Sequence, residues 1–104
     1  MHYVVLGEHS AEVCPTSNAE TKALLLDIGP QIPKIAEQNN VTIVAGPFVN
    51  HEHTTVVIVE TDRAENLDAF ISQTRLNQWN RLHILPSRTM EEGMQEIVEG
   101  TSLF

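Results

Sequence analysis

The chain has 104 residues, enough for one domain, 1–104, with one modest core, since a chain of this size buries roughly 60–70% of its unfolded surface. Hydrophobic residues make up 41% and charged residues 19%, a balance that excludes a disordered chain. Fourteen acids against six bases give a formal net charge of −8, which argues against nucleic acid and anionic membranes as partners, because both are bound through Lys and Arg.

No apolar stretch approaches the ~20 residues of a membrane helix. The N-terminus carries no basic region followed by an apolar run, so no secretory signal is expected. One cysteine, Cys14, cannot close an internal disulfide, and a reducing cytoplasm is the compartment this suggests.

"HYVVLGEH" (2–9) is a short β-branched and aromatic run and reads as the first strand. A loop over 10–16 follows. "SNAE" (17–20) matches a capping box, with Ser17 accepting from the first turn and Glu20 reaching back. The helix it opens has an apolar stripe of Leu24, Leu25, Ile28, Ile32, Ile35 and Ala36. Gly29-Pro30 and then Pro33 predict a kink or break near 29–31.

"VTIVAGPFV" (41–49) is the second strand, and "NHEH" (50–53) is a turn or an extension of it. "TTVVIVETD" (54–62) is the third strand. A second helix starts near Arg63, with Ala64, Leu67, Phe70 and Ile71 on its apolar face. "TRLNQWN" (74–80) reads equally as helix end or loop. "RLHILP" (81–86) is the fourth strand, stopped by Pro86. A last helix follows Thr89, with Met90, Met94, Ile97 and Val98 at helical spacing and Gly100 as its stop. The tail "TSLF" ends in two apolar residues that would prefer a partner surface.

The order is β-α-β-β-α-β plus a C-terminal helix, the ferredoxin-like split βαβ pattern of an α+β fold. Two helices cover one face of such a sheet. Yet Tyr3 and Val5 alternate with Val4 and Leu6, and Val57 and Val59 alternate with Val56 and Ile58, so both faces are apolar. A second copy related by a two-fold axis would supply the missing cover, which predicts a homodimer closing into a barrel. The competing arrangement is a monomer whose last helix folds over the open face.

The element order, the length, the strand "TVVIVETD" and the ending "RLHILPSRTMEEGMQEI" resemble small members of the dimeric α+β barrel superfamily, over essentially the whole chain. That superfamily includes cofactor-free monooxygenases, isomerases, haem-degrading or haem-binding proteins, metal-dependent enzymes and proteins without an assigned activity. The resemblance implies a fold and a dimer. It does not choose a chemistry, and no family catalytic residue is carried over.

Three groups of residues have the chemistry for a site. Cys14 precedes Pro15, which biases it to extended backbone, and lies just before a helix start, where a thiolate is favoured. His9 offers it a positive charge or a second ligand atom. Cys14 reads equally as a small buried filler. His51 and His53 are two apart: on a strand they share a face and chelate one ion, on a turn they are exposed polar residues. Together with His9 and Cys14 they would form a set suited to zinc, copper or iron, with Glu8, Glu52 or Glu60 completing or orienting it.

On the fourth strand, alternation places Trp79, Arg81 and His83 on one face, against Leu82 and Ile84 on the other. The first set would line the barrel interior and hold a small anionic or aromatic ligand, with His83 as catalytic acid or base, or would act as packing anchors between subunits. Cys14 and His83 are thus the candidate catalytic residues. The leading expectation is a small homodimeric barrel that binds a transition metal or small ligand through His9 and Cys14 with another histidine. The alternatives are a cofactor-independent oxygenase, isomerase or lyase using His83, and a non-catalytic interaction module.

Overall fold

The structure, a computed structural model, describes residues 1–100; the tail "TSLF" lies outside the described residues. Four strands, β1 (His2–Glu8), β2 (Thr42–Phe48), β3 (Thr54–Glu60) and β4 (Arg81–Ser87), form one sheet in the order β2-β3-β1-β4. Every neighbouring pair is antiparallel. With its helices the sheet makes an α+β fold compatible with the ferredoxin-like pattern. Pro86 does not stop β4 but lies inside it, opposite Tyr3. An edge strand tolerates a residue without a backbone N–H, and β4 is an edge.

The first helical segment breaks where expected. α1 (Ala19–Ile28) passes through a 3-10 turn (Gly29–Gln31) into α2 (Ile32–Gln38). Pro30 and Pro33 each stand at the start of a new segment, where the missing N–H has no partner to lose. The cap of α1 differs from the capping box at Ser17. Asn18 is the cap: its backbone is extended, and its Oδ1 accepts from the Thr21 N–H at 3.0 Å. Ser17 is occupied one step earlier, its hydroxyl donating to the carbonyls of Ala11 and Cys14 and so closing the preceding loop.

α3 (Ala64–Thr74) stops at Arg75, whose φ of 61° is left-handed, and the short α4 (Leu76–Trp79) restarts at a new angle. The ambiguous stretch 74–80 is therefore both helix end and helix start. This corrects the placement of Trp79. It sits on α4, ahead of the fourth strand, so the two-residue alternation that grouped it with Arg81 and His83 does not reach it.

The core lies between one sheet face and helices α2, α3 and α4. Val5, Val57 and Val59 pack there against Ile32, Ile35, Leu67, Phe70, Leu76 and Trp79. Phe70 is the largest fully buried side chain, a burial that stabilises by roughly 1.5–3 kcal/mol. The opposite face carries Val4, Leu6, Val56 and Ile58, which the register sets side by side across β1 and β3 and which remain outside the core.

α5 (Met90–Glu99) begins at a true capping box, Thr89 with Glu92, whose hydrogen bonds from the Thr89 backbone and hydroxyl hold the Glu92 carboxyl below its usual range. None of its residues is buried; Met90, Ile97 and Val98 are 80%, 72% and 76% exposed. The radius of gyration, 16.0 Å, exceeds the roughly 13 Å of a compact chain of this length, consistent with a helix that stands off the body.

One close approach joins the sheet to α4. A Cβ built on Gly7 would lie 2.9 Å from both Cγ and Oδ1 of the buried Asn80. Gly7→Ala should therefore destabilise the fold by about 1–3 kcal/mol through overpacking. Gly29→Ala, whose Cβ meets nothing within 4 Å, should leave stability unchanged or raise it by about 0.4–1 kcal/mol. Thermal unfolding followed by circular dichroism checks both, and equal midpoints for the two variants would contradict the contact.

Candidate functional site

Four segments meet at one end of the sheet: the exit of β1, the loop 10–18, the turn before β3, and the junction of α4 with β4. His9 follows Gly7 by two residues, so it continues the helix-facing side of β1. Its backbone N–H donates to the His53 carbonyl at 3.1 Å, which ties the end of β1 to the turn at 50–53.

Asn80 orients the His9 ring. The Asn80 Nδ2 donates to the Leu76 carbonyl at 3.2 Å, so its Oδ1 is the atom 3.0 Å from His9 Nδ1. An amide oxygen only accepts, so the neutral imidazole must carry its proton on Nδ1. That leaves the Nε2 lone pair free. A metal-binding histidine is held in just this way by a partner on its other nitrogen. The Trp79 ring lies beside His9, centroids 5.0 Å apart.

Cys14 is buried. Its carbonyl accepts backbone N–H groups from Ser17 at 2.9 Å and Asn18 at 2.8 Å, and its Sγ lies 3.0 Å from Thr16 Oγ1. The Asn18 side chain spans the loop to the Glu12 carbonyl at 3.1 Å. The thiol is therefore set by a loop wired through its own backbone.

"NHEH" is a turn. Asn50 builds it: Oδ1 accepts from the N–H of Glu52 at 3.0 Å and of Thr54 at 3.2 Å, while Nδ2 donates to the Thr54 carbonyl at 2.8 Å. His53 closes it in the left-handed region, φ 57°, and its ring meets that of His9 edge to face, centroids 5.4 Å apart. The two turn histidines thus separate. His53 is half-buried beside His9, whereas His51 is exposed at the rim of the neighbouring cleft.

One ligating atom each from His9, Cys14 and His53 lies within 4.8 Å of the others. Metal–nitrogen bonds of about 2.0–2.1 Å and a metal–sulfur bond of about 2.3 Å put tetrahedral donors about 3.3–3.6 Å apart. Closing on an ion thus requires a contraction of no more than about 1.5 Å, within the reach of side-chain rotation. The carboxylates of Glu8, Glu52 and Glu60 are exposed and stand outside this donor group.

Next to the donors opens a cleft of about 410 Å3, bordered by His9, Cys14 and Trp79 and walled by Pro15, Leu25 and Val49. A more open depression of about 560 Å3, along Pro33, Glu37 and Thr42, holds no comparable cluster of donors. Arg81 and His83 lie elsewhere. They are exposed on the sheet face away from the helices, where His83 Nε2 is 3.5 Å from a Glu8 carboxylate oxygen and Arg81 pairs in register with Glu8. Trp79 therefore shares the cleft with His9 and not with Arg81 or His83.

Asn80 is the residue that sequence reasoning missed. It acts on a partner 71 positions away, and only the approach of α4 to Gly7 reveals it. Nitrogen-15 NMR of the imidazoles should show His9 of the metal-free protein with its proton on Nδ1, and Asn80→Ala should release it to a mixture of both tautomers. A His9 signal indifferent to the substitution would remove Asn80 from the site. No known protein family, no curated protein and no solved structure matches the chain.

Proposed function

We propose that the protein is a small homodimeric α+β barrel that binds a transition metal through His9, Cys14 and His53. The observation that carries this reading is the convergence of two imidazoles and a thiol from three separate segments, with His9 held so that its free lone pair is on Nε2. The donor set contains sulfur and nitrogen and no carboxylate, which suits zinc, copper or iron and disfavours magnesium and calcium. Three protein donors leave one position open, the arrangement of centres that exchange a ligand.

A second reading uses the same imidazole without a metal. His9 borders the cleft and can serve as a general base through Nε2, with Asn80 fixing its tautomer. In a cofactor-independent oxygenase, isomerase or lyase of this kind, His9 takes the role expected of His83, because His83 lies on the other face of the sheet.

The dimer rests on the apolar face of the sheet, Val4, Leu6, Val56 and Ile58, and on the exposed stripe of α5. A second copy set across that face would bury both. Sedimentation should give about twice the 11.6 kDa of one chain, and Val56→Asp should shift the protein to monomer. A single-chain mass for the unmodified protein refutes the assembly.

Cobalt(II) serves as the metal probe. Protein purified without a tag should take up one equivalent per chain with a sulfur-to-cobalt charge-transfer band that Cys14→Ser abolishes. Asn80→Ala should weaken binding by about 10–100-fold, as loss of an orienting partner does. His51→Ala should bind as the unmodified chain does. Uptake well below one equivalent, unchanged by Cys14→Ala, would falsify the metal site.

A further inference from the structure

We infer that the cleft beside His9, Cys14 and His53 binds a monocarboxylate with an apolar body, its carboxylate on the open position of the metal and its body against the cleft walls; this rests on the metal reading above.

Charge selects the anion. A thiol loses its proton to ligate, whereas His9 ligates as a neutral imidazole whose Nδ1 proton faces Asn80. A divalent ion on one thiolate and two neutral imidazoles therefore keeps a single positive charge. Little around it cancels that charge. The partner that orients His9 is an amide, not a carboxylate. The donor group contains no acid, and among the described residues no Asp or Glu lines the cleft. An uncompensated charge beside apolar walls is costly, and a bound monoanion removes it. A neutral ligand leaves the charge standing, and a dianion reverses it.

His51 acts in the same direction. It is exposed at the rim of the cleft, and an imidazole N–H donates to a carboxylate in either protonation state. The net charge of −8 opposes an approaching anion, but its acids do not border the cleft, and salt screens exposed charges over about 8 Å.

The walls select the body. Pro15, Leu25, Val49 and the Trp79 ring present apolar surface, and Val49, 74% exposed, is surface that a ligand would cover. The Asn50 amide, although on the lining, is committed to its own turn. The volume of about 410 Å3 lies within the range of ligand pockets, roughly 300–1,000 Å3, and leaves room for far more than a carboxylate group. A ligand anionic at one end and apolar at the other therefore has one orientation.

Four probes separate the two terms: benzoate and hexanoate carry both, acetate lacks the body, and benzyl alcohol lacks the charge. Trp79 is the single tryptophan of the chain and borders the cleft, so its fluorescence reports occupancy. With the zinc-loaded protein, benzoate or hexanoate should give a saturable change. Acetate and benzyl alcohol should each bind at least about tenfold more weakly, one for want of apolar burial and the other for want of charge. Removing the metal should weaken benzoate and hexanoate by at least about tenfold as well. In the cobalt-loaded protein the ligand that binds should shift the visible bands. Leu25→Ala should weaken that ligand and leave acetate and the sulfur-to-cobalt band unchanged.

Benzyl alcohol binding as tightly as benzoate overturns the choice of an anion. Acetate binding as tightly as both larger acids overturns the role of the walls. Binding that survives metal removal undiminished, or that leaves the cobalt bands unmoved, overturns the orientation toward the metal. A sulfur-to-cobalt band with no saturable response to either larger acid defeats the inference while the metal site itself survives. Absence of that band in the unmodified protein defeats the metal reading, and this inference with it.

Discussion

The Asn80 side chain is the bracket on which the site depends. It fits only because Gly7 has no Cβ, which lets α4 come down onto β1. Its amide then has two duties that fix each other. Nδ2 secures the last turn of α4 at Leu76, and that choice turns Oδ1 toward His9. A buried amide with either end unsatisfied would lose about 1–3 kcal/mol, so the pair of bonds is favoured as a unit. The direction in which His9 presents its lone pair follows from how a helix ends.

The two faces of the sheet divide the labour. One is closed by α2, α3 and α4 and positions His9, Cys14 and His53 at its end, where strand geometry gives way to turns. Loops at the ends of a rigid sheet are where chemistry is usually placed, because the scaffold holds them and their backbones can adopt special conformations. His53, in left-handed backbone, is such a case. The other face carries apolar side chains at its centre and polar contacts at its margins, His83 with Glu8 and His2 with Glu60, each 3.5 Å apart. An apolar centre with a polar rim is the layout the proposed dimer would use.

Much of this was legible from residue order. Periodicity located the strands, the broken first helix and the last helix, because β-branched alternation and helical spacing are strong local signals. His9 and Cys14 stood out by residue type, and their proximity follows from a loop short enough to fold back. The remainder needed the third dimension. Ser17 and Asn18 are both good caps, and they are told apart only by their bonds: the Ser17 hydroxyl donates to loop carbonyls, while Asn18 Oδ1 accepts from the Thr21 N–H. Arg75 in left-handed backbone is unusual for a non-glycine residue, so the restart of a helix at Leu76 has no local signature, and strand alternation carried back to Trp79 puts it on the wrong face. The separation of His51 from His53 turns on Asn50, whose turn-forming habit was visible but whose direction was not.

The bond between His9 and Asn80 spans 71 residues of chain. In the unfolded ensemble those residues rarely meet, since closing so long a loop has a substantial entropic cost. The receptive form of His9 is therefore a property of the folded domain as a whole and cannot survive in a fragment. Anything that binds it draws on the folded population, and its apparent affinity falls in step with that population. A truncation of the buried Phe70 would thus weaken the proposed metal binding once the folded fraction drops. The site in this sense acts as a gauge of the integrity of the fold.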